Sequence, residues 1–138
     1  IFSIDDILTI PPSAFFRLAD GSPVNTKIFG GLQAAMFYRA VDPGGILFYA
    51  GENGLYCLTI NALDQPPTPT LLEISLDFEQ IMTIELPDGD DAWQSFDGEM
   101  LLEPGVHLLS VRLSNDDLVD GMDRNGHVGE VMIEKCPE

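Results

Sequence analysis

From residue 73 to residue 86 the chain alternates with a period of two. Ile74, Leu76, Phe78, Met82, Ile84 and Leu86 share one parity, and Glu73, Ser75, Asp77, Glu79, Thr83 and Glu85 share the other. Successive side chains of a strand point to opposite faces, so this run predicts a strand with an apolar face inward and an acidic face outward. Gln80 interrupts the apolar parity and Ile81 the polar one, which marks a kink or a division into two strands.

Shorter runs repeat the rhythm. Segments 46–50 and 55–62 flank Gly51-Glu52-Asn53-Gly54 and read as a hairpin with a four-residue loop. Pro104-Gly105 leads into 106–113, where Leu109, Val111 and Leu113 alternate with Ser110 and Arg112. In 128–134, Val131 and Ile133 are set against Glu130 and Glu134, and a further strand is expected at 14–18. Two segments suit short helices. Ser3 is a candidate N-cap ahead of Ile4-Asp5-Asp6-Ile7-Leu8. Leu32, Ala35, Met36 and Ala40 have helical spacing in 31–41, although Met36-Phe37-Tyr38 fits a strand equally. Ten prolines and thirteen glycines punctuate these runs, and no internal repeat is visible. The expectation is an all-β chain of roughly six to eight strands with one or two short helices. An antiparallel two-sheet β-sandwich or jelly roll buries such alternating faces.

Length and composition fit that expectation: 138 residues, 45% of them hydrophobic, make one domain, residues 1–138, with a core that needs no metal or disulfide staple. Charge changes the functional picture more. Asp and Glu number 23 against 6 Lys and Arg, a net charge of −17. Such a field repels nucleic acid and anionic lipid and attracts cationic protein surfaces. With no apolar run near the ~18 residues a bilayer span needs and no signal peptide, a cytoplasmic location is expected.

Part of the charge lies on the outer face of 73–85, and the rest gathers in two acidic loops, 88–99 and 116–123. The first interleaves Trp93 and Phe96 with acids. Carboxylates that steer and an aromatic that anchors would form a partner-binding patch, here Asp88, Asp90, Asp91, Trp93, Asp97, Glu99, Asp116 and Asp117. Taken singly, each aromatic is expected to pack inward.

Recognisable chemistry is sparse. His107 and His127 have no partner at metal-ligand spacing, and both read as structural. Setting Gly126 at the sixth position of an EF-hand loop puts Gly121 first and Met132 twelfth, so two ligands fail. Residues 116–126 then form an Asx-rich turn or an irregular calcium loop. No Gly-x-Ser-x-Gly elbow, P-loop or dinucleotide fingerprint occurs. Neither a catalytic residue nor a cofactor is expected, and the chain reads as a non-enzyme. Cys57 and Cys136 could pair, and spacing does not decide it.

The order of features carries one resemblance. Asp42-Pro43-Gly44-Gly45-Ile46-Leu47-Phe48 is followed by a strand pair, a Pro-containing break, the long alternating run, and Leu102-Glu103-Pro104-Gly105-Val106-His107-Leu108 entering a further strand. This resembles the competence-protein-J type of small acidic bacterial protein, which implies inhibition of a DNA-entry nuclease. The leading functional expectation is therefore an acidic inhibitor or immunity-type protein that occludes a basic nuclease or toxin. The alternatives are a β-sandwich ligand-binding module for carbohydrate or calcium, suggested by Trp93, Tyr38, Tyr49 and Tyr56, or an oligomerising structural domain.

Overall fold

The computed structural model describes residues 2–115, 118–119 and 122–137. Its strands are β1 (Phe2–Ser3), β2 (Ile7–Ile10), β3 (Phe16–Arg17), β4 (Thr26–Phe29), β5 (Leu32–Phe37), β6 (Gly44–Ala50) and β7 (Gly54–Asp64). They continue as β8 (Thr70–Leu76), β9 (Glu79–Leu86), β10 (Ala92–Leu102), β11 (Gly105–Leu113), β12 (Leu118–Val119), β13 (Met122–Asp123) and β14 (Gly126–Lys135). One sheet runs β1-β6-β11-β8-β9, with β3 also on β6; the other runs β10-β7-β14-β5-β4, with β2 also on β14. Apart from the short parallel pair β1–β6, every pairing in the two sheets is antiparallel. The all-β, two-sheet sandwich expected from the alternation is what forms.

Alternation also selects the core. Ile46, Phe48, Leu72, Ile74, Ile84, Leu109 and Val111 face inward from the first sheet. Leu58, Ile60, Met100, Leu102, Val131 and Ile133 face them from the second. Each such side chain contributes about 1.5–3 kcal/mol by leaving water.

Several local expectations are corrected. The run 73–86 divides into two strands, β8 and β9, as its interruption allowed, but the break falls at Asp77-Phe78, with φ of 49° and 69°, rather than at Gln80-Ile81. Positive φ at both positions is the turn geometry whose twist suits a two-residue hairpin. Phe78, assigned to the inner face by parity, is instead 80% exposed at the turn. Segments 46–50 and 55–62 do not form a hairpin. Strand β6 bonds to β11 and β7 bonds to β10 and β14, so residues 51–53 carry the chain from one sheet to the other. Residues 4–8 and 31–41 contribute strands β2 and β5 rather than helices. Among the described residues the helical segment is a 3-10 turn, Pro12–Ala14. Each helix candidate offered one sheet-compatible row, and pairing with β14 used it.

Cys57 and Cys136 form a disulfide with Cα atoms 5.0 Å apart. The amide of Cys136 also donates to the Leu55 carbonyl at 3.0 Å, tying the residue after β14 to β7. No helix among the described residues is long and apolar enough to cross a membrane.

Candidate functional site

The outer face of the second sheet carries a cavity of about 350 Å³. A bulge in β14 supplies two of its lining residues, Gly129 and Glu130. Val128 pairs with Ala62 and Val131 with Ile60, so Gly129 and Glu130 both lie opposite Asn61. Two residues against one bend the strand and re-aim its side chains. Glu130 is left exposed, and Gly129 is left as bare backbone against the Cζ3–Cη2 edge of the Trp93 ring. A Cβ on Gly129 would stand 2.8 Å from Trp93 Cζ3 and 3.3 Å from Cη2. The ring rests on the strand only because glycine is there.

Trp93 lies on β10, one pair from the start of its register with β7. Two residues further along, Ser95 Oγ donates to Asn61 Oδ1 at 2.7 Å. Gln94, also at the cavity, donates through Nε2 to Asp64 Oδ2 at 3.0 Å. Pro11 and Pro12 close one side, where the chain passes between sheets, and Leu32 and Gln33 of β5 contribute the rest. The result is one aromatic ring ringed by amides, a hydroxyl and a carboxylate.

Asp64 holds the neighbouring loop in place. It is fully buried at the end of β7. Its Oδ1 accepts from the Gly89 amide at 2.8 Å and its Oδ2 from the Asp88 amide at 3.1 Å. Its carbonyl accepts from the Asp91 amide at 2.8 Å. With both carboxylate oxygens occupied by N–H donors, Asp64 is an anchor rather than a metal ligand. Among the described residues no group of three or more His, Cys, Asp or Glu is arranged to hold a metal ion.

The residues expected to form one partner patch are distributed. Asp88, Asp90 and Asp91 are exposed on the loop that Asp64 anchors. Trp93 stands in the cavity, half-buried. Asp97 and Glu99 continue down the outer face of β10, Asp97 accepting from Thr59 Oγ1 at 3.0 Å. Asp116 and Asp117 lie outside the described residues. The stretch 88–99, read as a loop, is a strand from Ala92 onward. Phe96 packs inward against the core, as expected of it, whereas Trp93 does not. Of the tyrosines, Tyr56 is buried with its hydroxyl on the Glu52 carbonyl at 2.8 Å. Neither Tyr38 nor Tyr49 lines the cavity. Asn61, Gln33, Ser95, Gly129 and Glu130 were not anticipated as site residues. The one local signal for them was Gly129, a glycine inside an otherwise regular strand pattern.

Two residues before Gly129, His127 lies buried beside the Phe29 ring, with centroids 4.9 Å apart. Burial, reinforced by the positive charge of Lys27, lowers its pKa to about 4, so it is neutral.

No protein-family model matches the chain, and no curated protein matches it. Solved structures do. The CBM36-1 domain of a multidomain xylanase from the hindgut metagenome of Trinervitermes trinervoides aligns with a TM-score of 0.73 at 10% identity, covering 96% of this chain and 100% of that one. The Podospora anserina GH26-CBM35 β-(1,4)-mannanase aligns at 0.70 and 16% identity, over 97% of this chain and 29% of the mannanase. The carbohydrate-binding module CBM36 in complex with calcium and xylotriose aligns at 0.68 and 10%, over 92% and 99%. At these identities the likeness defines the fold, a β-sandwich of the kind found in carbohydrate-binding modules.

That finding corrects the leading functional expectation. The three similar structures above contain carbohydrate-binding modules and none is a nuclease inhibitor, and neither a family model nor a curated protein supports the competence-protein-J resemblance. The inhibitor or immunity role and the basic nuclease or toxin partner fall with it. Pro-Gly turns entering alternating strands are common to many sandwiches, so they carried no family information.

Proposed function

We propose that this protein is a non-catalytic glycan-binding module whose site is the cavity on the outer face of the second sheet. One observation carries the reading: the Trp93 ring packs against Gly129 and lines one cavity together with Asn61, Ser95, Gln33 and Glu130. A pyranose ring presents a flat C–H face and a rim of hydroxyls. A ring face with convergent amide, hydroxyl and carboxylate groups complements both at once. The volume, about 350 Å³, is at the scale of small-ligand sites. The fold shared with carbohydrate-binding modules supports the reading, and the disulfide favours an oxidising compartment.

The test is affinity electrophoresis and calorimetry against xylan, β-mannan, laminarin and galactan. The wild-type chain is expected to be retarded by at least one of them. Trp93→Ala should abolish that retardation while keeping the circular dichroism of a folded β-sandwich, with a lowered melting temperature from the lost packing on Gly129. Undiminished binding by the variant would move the site elsewhere.

A further inference from the structure

The same cavity has a charge character that separates classes of glycan. This step rests on the glycan-binding reading and narrows it. Among the described residues its lining includes Glu130 and no lysine, arginine or histidine. Arg17, Lys27, Arg112 and Lys135 are engaged elsewhere. Arg112 Nε donates to Glu73 at 2.9 Å, Arg17 lies 3.7 Å from Asp42, and Lys135 Nζ is 2.8 Å from Glu52. Lys27 belongs to the hairpin that supplies Leu32 and Gln33, and its ammonium sits over the Phe29 ring at 5.5 Å.

The surface beyond the cavity has the same sign. Along β10, two residues at a time on the outward row, Trp93 and Ser95 give way to Asp97 and Glu99. A second hollow there is lined by Thr59, Asp97, Glu99 and Glu134. A chain laid along the strands from Trp93 would pass over carboxylates.

We propose that the site selects uncharged glycans and rejects uronate-bearing ones, with Glu130 as the specificity-determining residue. The bulge is what places it. A regular strand would set one residue opposite Asn61; here a second is inserted, and its side chain stands at the cavity. A carboxylate is acceptor-only, and a sugar hydroxyl is a donor, so a neutral glycan completes a short charge-assisted hydrogen bond. A uronate brings a second acceptor-only anion to the same place. Its repulsion acts over a screening length of about 10 Å at moderate ionic strength, so Asp97 and Glu99 add to it at low salt.

The experiment compares neutral xylo-, manno- and laminari-oligosaccharides with oligogalacturonate and glucuronate-substituted xylo-oligosaccharides of equal length. Calorimetry is run on the wild-type chain and on Glu130→Gln, at low and high salt. The proposal expects the best neutral probe to bind about fivefold or more tighter than any uronate probe at low salt. That ratio should shrink at high salt and in Glu130→Gln, which keeps the shape and hydrogen-bonding reach of the side chain. The melting temperature of Glu130→Gln controls for folding. Equal or tighter binding of a uronate probe overturns the selectivity and leaves glycan binding standing. So does a ratio that Glu130→Gln does not move. Failure of every probe, neutral and charged, overturns this proposal and the glycan-binding reading together.

Discussion

Gly129 shows how much a single position decides. With a Cβ placed 2.8 Å from Trp93 Cζ3, Gly129→Ala must push the indole off the strand. The expected outcome is a loss of about 1–2 kcal/mol in stability together with weakened glycan binding, read by urea unfolding and calorimetry on one sample. Asp64 is the second such residue. Asp64→Asn places an NH₂ group against donors it cannot accept from, and Asp64→Ala leaves them without a partner. Each should cost about 2 kcal/mol and loosen the loop that Asp88 and Asp91 occupy, measurable by hydrogen exchange at those amides. The histidines give opposite pH responses. His107 Nδ1 is 2.7 Å from Asp77 Oδ2 and its Nε2 is 2.7 Å from the Glu103 carbonyl. Both partners accept, so both ring nitrogens donate and the imidazolium fits best. Burial opposes its charging, but the Asp77 and Glu103 hydrogen bonds outweigh burial and raise its pKa above 6.5. Its stabilisation is complete below 6.5 and is lost as pH rises through the folded value. His127, lowered to about 4 from 6.5, contributes stability above 6.5 that is lost as pH falls toward 4. Melting temperature against pH should therefore flatten on the alkaline side in His107→Gln and on the acid side in His127→Leu, each relative to wild type.

Between residues and molecule stand the strands. Strand β10 looks like an acidic loop in sequence because its outward row is Trp93, Ser95, Asp97 and Glu99, and its inward row contains Gln94 and Gly98. It lies at the edge of its sheet, where outward charge blunts pairing with other chains, so its polarity was a consequence of position. Strands β6 and β7 misled in the other way. They are adjacent in sequence and joined by a turn-like tetrapeptide, yet each has its hydrogen-bond partners in a different sheet. Pairing of 46–50 with 55–62 would have been local; the observed pairing with β11 and β10 joins residues far apart in the chain. The disulfide acts at this scale too. Linking residues 79 apart restricts the unfolded chain, and a loop of that length corresponds to about 4.5 kcal/mol. Reduction, or the double substitution Cys57→Ser with Cys136→Ser, should lower the urea-unfolding free energy by roughly that amount, and the loss should be similar in both.

The whole molecule carries 23 acids against 6 bases, and charge of that size opposes its own compaction. Raising ionic strength toward physiological, where the screening length falls to about 8 Å, should raise the melting temperature. On the proposed glycan-binding reading, the same field would act against charged glycans rather than attract a cationic protein. What the sequence determined by itself was the alternation, and with it the all-β sandwich, most of the core and the sign of the surface. These follow from period-two patterning and from counting charges, both local properties of the chain. Only the tertiary structure decided which strands pair, that Cys57 meets Cys136, and that Trp93 and Ser95 of β10, Asn61 of β7, and Gly129 and Glu130 of β14 stand at one cavity. The physical reason is that a site built across three neighbouring strands depends on register and on one inserted residue, and neither is written in any single segment.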